Sequence, residues 1–285
     1  MNEHIVDLYQ IYGQQKPADG AGKLTCYEVR TSEKVSSCRR RPAVLILPGG
    51  GYEHTSSREA EPVALRFLVR GYVPFVLHYS VSPCRFPTAL REAALAMRYI
   101  REYAELFEVD EAMVAAVGFS AGGHLCGCLG TLFDSDLLAD LGGPELCRPD
   151  ALGLCYPVAV SWGATHEGSF QNLCGTDQAL RAKLSLEQLI RPDMPPVFLW
   201  HTRDDGSVPV RNSLILASAL EEKGIDFAMR IHRHGRHGLS TADTQVYPVS
   251  LVPEHSREAE NWPEEMMNFF AEIGFKITDL LEEKL

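Results

Sequence analysis

The stretch from Met113 to Leu125 reads MVAAVGFSAGGHL, and it predicts a strand, a tight turn and a helix in immediate succession. Its first seven residues are apolar or glycine, as in a buried strand. Ser120 then stands between Gly118 and Gly122 in a G-x-S-x-G pattern, whose small flanking residues tolerate a strained backbone that exposes the serine hydroxyl. We interpret Ser120 as a nucleophile. The alternative is a turn that contains a serine by chance.

Five further short apolar runs occur along the chain, and amphipathic segments separate them. The runs are continuous rather than alternating, which is typical of parallel strands covered on both faces. Strands that alternate with helices predict an α/β fold with a mostly parallel, doubly wound sheet and helices on both faces. The five runs are Ala43–Pro48, Tyr72–Tyr79, Ala151–Pro157, Pro196–His201 and Phe227–His232.

Three of the intervening segments have the apolar spacing of helices. One covers Thr88–Phe107, one begins at Pro209 with Gly224 as a C-cap, and one begins near Ser256. Insertions at about 133–150 and 162–194 interrupt the alternation, the second with a helix around Ala179–Ile190. Insertions of this length usually cover or shape a site, so we expect both to be short and cap-like. No linker or repeat is visible, which predicts a single domain over residues 1–285.

A serine nucleophile needs a base that takes its proton and an acid that orients the base. In an open parallel sheet these groups meet at the carboxyl ends of the strands. Asp204 and Asp205 follow the run Pro196–His201. We prefer Asp205, which lies three residues before Val208–Pro209, where the next helix can begin, with Asp204 as a solvated loop carboxylate or a helix-capping neighbour. Three histidines follow the last run: His232, which ends the strand, His234, and His237, whose loop position lets the imidazole reach the serine. The predicted triad is therefore Ser120, Asp205 and His237 in chain order.

The donors for a developing oxyanion are expected after an earlier strand. Gly49, Gly50 and Gly51 directly follow the run that ends at Pro48. Glycines let backbone N–H groups approach a substrate oxygen because no Cβ is in the way. We predict an oxyanion hole made of the amides of Gly50 or Gly51 together with that of Ala121.

The remaining histidines receive weaker assignments. His232, His234 and His237 also form an H-x-H-x-x-H pattern, but no carboxylate or cysteine cluster accompanies it, so we predict neither a metal nor another cofactor. His124, one turn beyond Ser120, is interpreted as a buried histidine with satisfied hydrogen bonds. Four others are expected to line or brace the site or to be structural: His54, His78, His166 and His201.

Composition excludes several classes of partner. The net charge of the 285 residues is −11, which does not suit a nucleic-acid backbone, and no apolar window of about 18 residues predicts a membrane span. The N-terminus lacks a basic segment followed by an apolar one, so we expect no secretory signal. Eight cysteines without framework spacing then favour reduced thiols, and we predict a cytoplasmic protein.

The sequence resembles the α/β-hydrolase esterases of the acetylxylan esterase or carbohydrate esterase-like branch, close to the small feruloyl and xylan esterases of gut and rumen bacteria. The resemblance spans roughly residues 44–240, and Trp262 near the C-terminal helix also fits it. It is carried by LILPGGGY, HYSV, RYIREYAELFEVD, AAVGFSAGGHL, LCYPV, HEGSFQNLCG, PPVFLWHTRDDGSVPVRNSLILASALEEKG and RHGRHGLS.

The resemblance implies the same triad and oxyanion hole, and the hydrolysis of acetyl or related short acyl esters on sugars such as xylo-oligosaccharides. The expected partner is therefore a small-molecule or oligosaccharide ester, and a homo-oligomer stays open. Pro48 departs from the wider superfamily, in which many members have a histidine that braces the glycine loop at this position. Another group must brace the loop here.

Other hydrolases with the same triad remain as alternatives: a general short-chain carboxylesterase, a feruloyl esterase or an arylformamidase-like amidase. We do not favour a long-chain lipase, because the insertion at 133–150 is charged rather than an apolar lid. A prolyl peptidase would need a further large domain. A catalytically inactive binding scaffold usually lacks a triad member, whereas here every role has a candidate.

Overall fold

The computed structural model describes residues 2–28, 39–247 and 254–279, and these form one continuous sheet with helices on both faces. Eight strands follow the order β1-β2-β4-β3-β5-β6-β7-β8, and a short β9 pairs with the start of β3. Antiparallel pairing of β2 with β1 and β4 makes β2 the reversed strand of the eight, and the pairs from β4 to β8 are parallel. The strands are β1 Asn2–Asp7, β2 Lys23–Glu28, β3 Arg39–Leu47, β4 Val73–His78, β5 Val109–Phe119, β6 Ala151–Cys155, β7 Val197–Thr202, β8 Phe227–His232 and β9 Thr278–Asp279.

All six predicted strands are confirmed, as β3 to β8, and so is the mostly parallel α/β fold. Successive apolar residues in a central strand serve opposite faces of the sheet. In β3, Leu45 and Leu47 belong to one core cluster, whereas Val44 and Ile46 belong to the other. This double burial explains why the runs are continuous rather than alternating.

The two core clusters lie under two sets of helices. α1, α3, α5 and α10 contribute to the cluster that contains Leu45, and α2 and α11 contribute to the cluster that contains Val44. The helices are α1 Leu8–Tyr12, α2 Glu61–Val69, α3 Thr88–Glu102, α4 Ala104–Phe107, α5 Ala121–Leu132, α6 Pro144–Cys147, α7 Glu167–Cys174, α8 Gln178–Lys183, α9 Leu186–Leu189, α10 Arg211–Glu222 and α11 Trp262–Glu272. In the described part of the chain, no helix is both long enough and apolar enough to cross a membrane.

Three helix predictions need correction at their boundaries. The segment Thr88–Phe107 is divided at Tyr103 into α3 and α4, and the segment around Ala179–Ile190 is divided into α8 and α9. The stretch that begins near Ser256 first forms a 3₁₀-helix, Glu254–Asn261, and becomes α-helical at Trp262.

The two insertions lie at opposite ends of the parallel strands. Residues 133–150 connect the end of α5 to the start of β6, where Asp140 and Asp150 pair with Arg91 and Arg101 of α3 at 2.6 and 3.1 Å. This segment is therefore at the amino ends of the strands, and the expectation that it covers the site is wrong. Residues 162–194 follow the carboxyl end of β6 and contain α7, α8 and α9.

The cysteines are unbridged where they are described. Six of the seven described thiols are buried and Cys84 is half-buried, and none of the seven forms a disulfide. They pack as small apolar groups in the interior. Cys38, the eighth, lies outside the described residues.

Candidate active site

Ser120 occupies the turn between β5 and α5 with a strained backbone. Its φ of 53° and ψ of −115° are unusual for a residue with a side chain, and Ser120 is 7% exposed. The glycines on either side permit this turn, because a Cβ on Gly118 would lie 2.1 Å from the carbonyl oxygen of Gly122. A Cβ on Gly122 would lie 2.1 Å from the carbonyl oxygen of Leu47 in β3. Any side chain at either glycine would therefore displace the backbone that presents the serine.

His237 links Ser120 to Asp205 through two short hydrogen bonds. Its Nε2 lies 2.7 Å from Oγ of Ser120, and its Nδ1 lies 2.7 Å from Oδ2 of Asp205. A carboxylate only accepts hydrogen bonds, so Nδ1 donates and Nε2 is left to accept the serine proton. The three residues come from the carboxyl ends of β5, β7 and β8, as the sequence predicts.

Asp205 is held as an ionised acceptor. Its side chain is fully buried, and its Oδ1 accepts hydrogen bonds from the amides of Ser207 and Val208, each at 2.9 Å. Burial raises the pKa of the Asp205 carboxyl, but the hydrogen bonds from His201 and His237 outweigh burial and hold that pKa below its ordinary range. His201 lies behind the carboxylate, with Nε2 at 3.4 Å from Oδ2.

Asp204 serves a different histidine. Its carboxylate lies 3.0 Å from Nδ1 of His234 and accepts the amide of Gly235 at 2.7 Å. The hydrogen bond from His234 lowers the pKa of the Asp204 carboxyl. Asp204 thus fastens the loop that carries the histidines but makes no contact with His237. His232, 5% exposed, packs its ring on Trp200 with centroids 5.6 Å apart.

The predicted oxyanion donors border the same cavity as Ser120. Gly50 and Gly51 have φ values of 125° and 65°, which L side chains rarely adopt, and both line the cavity. Within the described residues, the amides of Gly50 and Gly51 donate no hydrogen bond to the protein, whereas that of Gly49 is bound by Glu59. Ala121 begins α5, where the first N–H groups of a helix have no partner inside the helix. These amides are available to an oxygen bound beside Ser120.

Comparison with known proteins assigns this arrangement to a family. Residues 32–142, which contain the glycine loop and Ser120, match the BD-FAE family model, and residues 175–254, which contain Asp205 and His237, match the prolyl oligopeptidase family model. The crystal structure of an acetyl ester-xyloside bifunctional hydrolase from Caldicellulosiruptor lactoaceticus is similar with a TM-score of 0.75 and 38% identity, over 89% of this chain and 88% of that one. The chain belongs to the α/β-hydrolase esterase family.

Further members of this family are similar over most of the chain. The carboxylesterase Cest-2923 from Lactobacillus plantarum is 26% identical with a TM-score of 0.78, over 89% of this chain and 93% of that one. Endo-1,4-beta-xylanase B of Butyrivibrio fibrisolvens is 37% identical over 77% of this chain and 36% of its own length. Acetylxylan esterase of Xylanibacter ruminicola is 27% identical over 92% of this chain and 53% of its own length. The chain thus spans about a third to a half of these two curated relatives.

The α/β-hydrolase loop after Pro48 is braced by groups that the sequence analysis missed. The Tyr79 hydroxyl donates to the carbonyl oxygen of Pro48 at 2.6 Å. The Glu59 carboxylate, 3% exposed, accepts the amide of Gly49 at 2.8 Å and the hydroxyl of Tyr156 at 2.7 Å. These contacts supply the bracing that a histidine at position 48 gives elsewhere in the superfamily. No local pattern marks Glu59, Tyr79 or Tyr156, because each acts through a partner distant in sequence.

The cavity in front of Ser120 has a volume of about 300 Å³ and is lined by glycines and by polar side chains. The second insertion shapes one side of it: His166 lines the cavity, and Asn172 donates to the carbonyl oxygen of Gly51 at 2.9 Å. Burial, followed by the nearby charge of His237, lowers the pKa of His166. The lining residues are Gly50, Gly51, Glu53, His54, Ser56, Arg58, Glu59, Ser120, His166, Ser207, His237 and Gly238.

His124 is buried with both ring nitrogens satisfied. Its Nδ1 accepts the hydroxyl of Tyr52 at 2.9 Å and its Nε2 donates to the carbonyl oxygen of Leu184 at 2.8 Å. Burial lowers the pKa of His124 to about 4, so the ring is neutral at pH 7. Among the described residues, no group of three or more histidine, cysteine, aspartate or glutamate side chains is placed to hold a metal ion.

Proposed function

We propose that the protein is a serine esterase that hydrolyses short acyl esters, chiefly acetyl esters on carbohydrates such as xylo-oligosaccharides. The observation that carries this proposal is the pair of hydrogen bonds that joins Asp205 to His237 and His237 to Ser120. Ser120 lines a cavity that is bordered by backbone N–H groups available to donate hydrogen bonds. The acetyl group and the sugar are supported by the names of three similar proteins: a xylanase, an acetylxylan esterase and an acetyl ester-xyloside hydrolase.

In the acylation half of the proposed reaction, Oγ of Ser120 attacks the ester carbonyl carbon while Nε2 of His237 takes the serine proton. The carbonyl oxygen becomes an oxyanion, which accepts hydrogen bonds from the amides of Ala121 and of Gly50 or Gly51. Each such donor contributes about 3–4 kcal/mol to the stability of the transition state. The carboxylate of Asp205 stabilises the imidazolium. Collapse of the intermediate breaks the bond to the sugar oxygen, which takes the proton from His237.

In the second half, water hydrolyses the acyl-enzyme. Nε2 of His237 takes a proton from the water as its oxygen attacks the acyl carbon, and the same amides bind the second oxyanion. The bond to Oγ of Ser120 then breaks, and the proton held by His237 returns to that oxygen. Acetic acid and the free enzyme are the products, and no cofactor enters the balance.

The cavity wall favours a small acyl group and a polar alcohol. Among the described residues that line it there is no aliphatic or aromatic carbon side chain, since the wall consists of glycine, serine, histidine, arginine and glutamate. Apolar acyl chains gain affinity from hydrocarbon side chains such as those of leucine and phenylalanine, and the residues that line this cavity include none. Hydroxyl-rich sugars instead find hydrogen-bonding partners, which supports carbohydrate acetate over a feruloyl or long-chain ester.

A general short-chain carboxylesterase is the second candidate, because Cest-2923, a carboxylesterase, has a similar fold over most of this chain. The two candidates share the triad and differ in the alcohol. Rates on p-nitrophenyl acetate, p-nitrophenyl butyrate and acetylated xylo-oligosaccharides separate them. A sugar esterase releases acetate from the oligosaccharide with the higher kcat/KM.

The test of the proposed nucleophile compares wild type, Ser120→Ala and Ser135→Ala on p-nitrophenyl acetate and acetylated xylo-oligosaccharides. Ser135 caps a short helix in the first insertion, so its loss removes the same atom far from the cavity. We expect Ser135→Ala to retain activity and Ser120→Ala to lose it, by a factor on the order of 10⁶. Wild-type rates in Ser120→Ala would remove the proposal. Activity on the aryl ester alone would support the serine mechanism and favour the second candidate, a general short-chain carboxylesterase.

The cytoplasmic location and the homo-oligomer remain predictions. Unbridged, buried cysteines are compatible with a reducing compartment. Reporter fusions and sedimentation of the purified protein test the two separately.

A further inference from the structure

Two arginines, Arg58 and Arg236, lie close to the ring of one tyrosine, and Arg58 also lines the cavity. The guanidinium carbon of Arg58 lies 5.3 Å from the ring centroid of Tyr247, and that of Arg236 lies 4.3 Å from the same centroid. Stacking on an aromatic ring restrains a guanidinium group and leaves its N–H donors free in the plane. The Tyr247 hydroxyl donates to the carbonyl oxygen of Gly238, so the cluster is fastened to the loop that carries His237.

Arg58 lies near the loop that carries His237. It lines the cavity with Ser120, and a Cβ on Gly238 would lie 3.6 Å from Nη2 of Arg58. The guanidinium group therefore lies beside the residue that follows His237. In the proposed mechanism His237 protonates the sugar oxygen as it leaves, so this side of the cavity receives the alcohol part of the ester. The acyl oxygen is expected at the amides of the glycine loop.

Among the described residues, Arg58 and Arg236 form no ion pair with a carboxylate. In the described ranges, the ion pairs made by arginine involve residues other than Arg58 and Arg236. Of the two carboxylates that line the cavity, Glu59 is bound to Gly49 and Tyr156, and Glu53 is exposed. Two unpaired guanidinium groups beside the site are unusual in a chain whose net charge is −11. An anionic group on the substrate could form ion pairs with them.

We propose that Arg58 and Arg236 form a subsite for a carboxylate on the alcohol part of the substrate, so that the preferred ester is an acylated sugar that carries a uronic acid. Carboxylate is the group whose geometry a guanidinium fork matches with two parallel hydrogen bonds. The inference rests on the proposed esterase function and adds the charge of its substrate.

The test uses a pair of substrates that differ only in charge: an acetylated methyl glucuronoside and the corresponding acetylated glucuronamide. We expect wild type to have a KM about 10-fold lower for the acid, the change given by one partly exposed charge-assisted contact. Arg58→Gln removes that preference, because it raises the KM for the acid relative to the KM for the amide. Arg236→Gln has a smaller effect in the same direction. Salt weakens the preference.

Arg70→Gln is the matched control, since Arg70 is an exposed arginine at the end of α2 and lies outside the cavity lining. Equal KM values for acid and amide in wild type would overturn the inference. So would an Arg58-dependent preference for p-nitrophenyl hydrogen succinate over p-nitrophenyl acetate, because that anion lies on the acyl side. If neither sugar ester is hydrolysed, the proposed function fails. Calorimetric binding of methyl glucuronoside to Ser120→Ala then still decides the subsite: binding lost with Arg58→Gln supports it, and no binding removes it.

Discussion

Replacing Glu59 by alanine removes the carboxylate that holds the oxyanion loop. Glu59 is buried and accepts the amide of Gly49 at 2.8 Å through one oxygen and the hydroxyl of Tyr156 at 2.7 Å through the other. The substitution therefore leaves two buried donors without a partner. It leaves Ser120, His237 and Asp205 in place, so we expect the loss of activity per folded molecule to come through the position of the loop.

The size of the effect follows from these two contacts. A buried donor without a partner costs about 1–3 kcal/mol, so the two donors lower the free energy of unfolding by about 2–6 kcal/mol. If the amides of Gly50 and Gly51 move from the oxyanion position, the loss of one donor lowers kcat by about 10²–10³-fold. KM for a small aryl ester changes little, because the oxyanion forms only in the transition state.

The assay combines urea unfolding with steady-state kinetics on p-nitrophenyl acetate for Glu59→Ala, Glu59→Gln and Glu53→Ala. Glutamine keeps a carbonyl oxygen that can accept the amide of Gly49, so we expect it to recover part of kcat. Glu53→Ala removes an exposed carboxylate from the same cavity and serves as the control for a change of charge.

Two results would refute the bracing role. A kcat for Glu59→Ala within about threefold of wild type would show that the loop keeps its position without the carboxylate, since even one displaced donor costs more than that. A fall in activity that follows only the unfolded fraction, with normal kcat per folded molecule, would show that Glu59 stabilises the fold without positioning the loop.

Three further predictions concern the acid, a buried histidine and the turn. Asp205→Asn should lower kcat by about 10⁴-fold, because His237 loses the acceptor that sets its tautomer. Folding lowers the pKa of Asp205, so its contribution to the free energy of unfolding should be complete above about pH 5 and should fall below pH 4. Urea unfolding of wild type and Asp205→Asn at a series of pH values measures this contribution. His124 has a pKa of about 4 in the folded protein, so between pH 4 and 6.5 it binds a proton mainly in the unfolded state. The free energy of unfolding should therefore rise with pH in this range by up to about 1.4 kcal/mol per pH unit. His124→Gln should reduce this dependence on pH. Gly122→Ala should lower Tm and activity together, because its Cβ would strike the backbone of Leu47, whereas a substitution in open space at Gly206 should not.

The central strands could be predicted because their consecutive residues are apolar, as burial on both faces of the sheet requires. β1 and β2 were not predicted, because the runs Asn2–Asp7 and Lys23–Glu28 mix charged and apolar residues at the border of the sheet. β9 has two residues and no pattern of its own. The insertion at 133–150 was expected to cover the site because of its length, but it joins a helix to the next parallel strand, and such connections lie at the amino ends of the strands. Its charged residues pair with α3 and say nothing about a lid.

The candidate triad could be predicted because each member follows a strand, and the carboxyl ends of parallel strands meet at one edge. The choice of Asp205 over Asp204 rested on its distance from the next helix. The structure places Asp205 against His237 and Asp204 against His234. That separation depends on loop geometry, which two adjacent aspartates do not reveal.

The groups that align the site form one network, and its members are the ones that the sequence could not identify. Tyr156 donates to Glu59, 97 residues earlier in the chain, and accepts the amide of Ser240 at 2.9 Å. Glu59 in turn holds Gly49, so the oxyanion loop and the loop after His237 are joined through two buried side chains. With Pro48 in place of a histidine, the bracing passes to groups that contact both loops, and displacing one loop should displace the other. Tyr156→Phe removes the hydroxyl that joins the two loops, so it should displace both the oxyanion donors and His237. We therefore expect it to lower kcat more than a substitution that removes a hydrogen bond to only one of the loops.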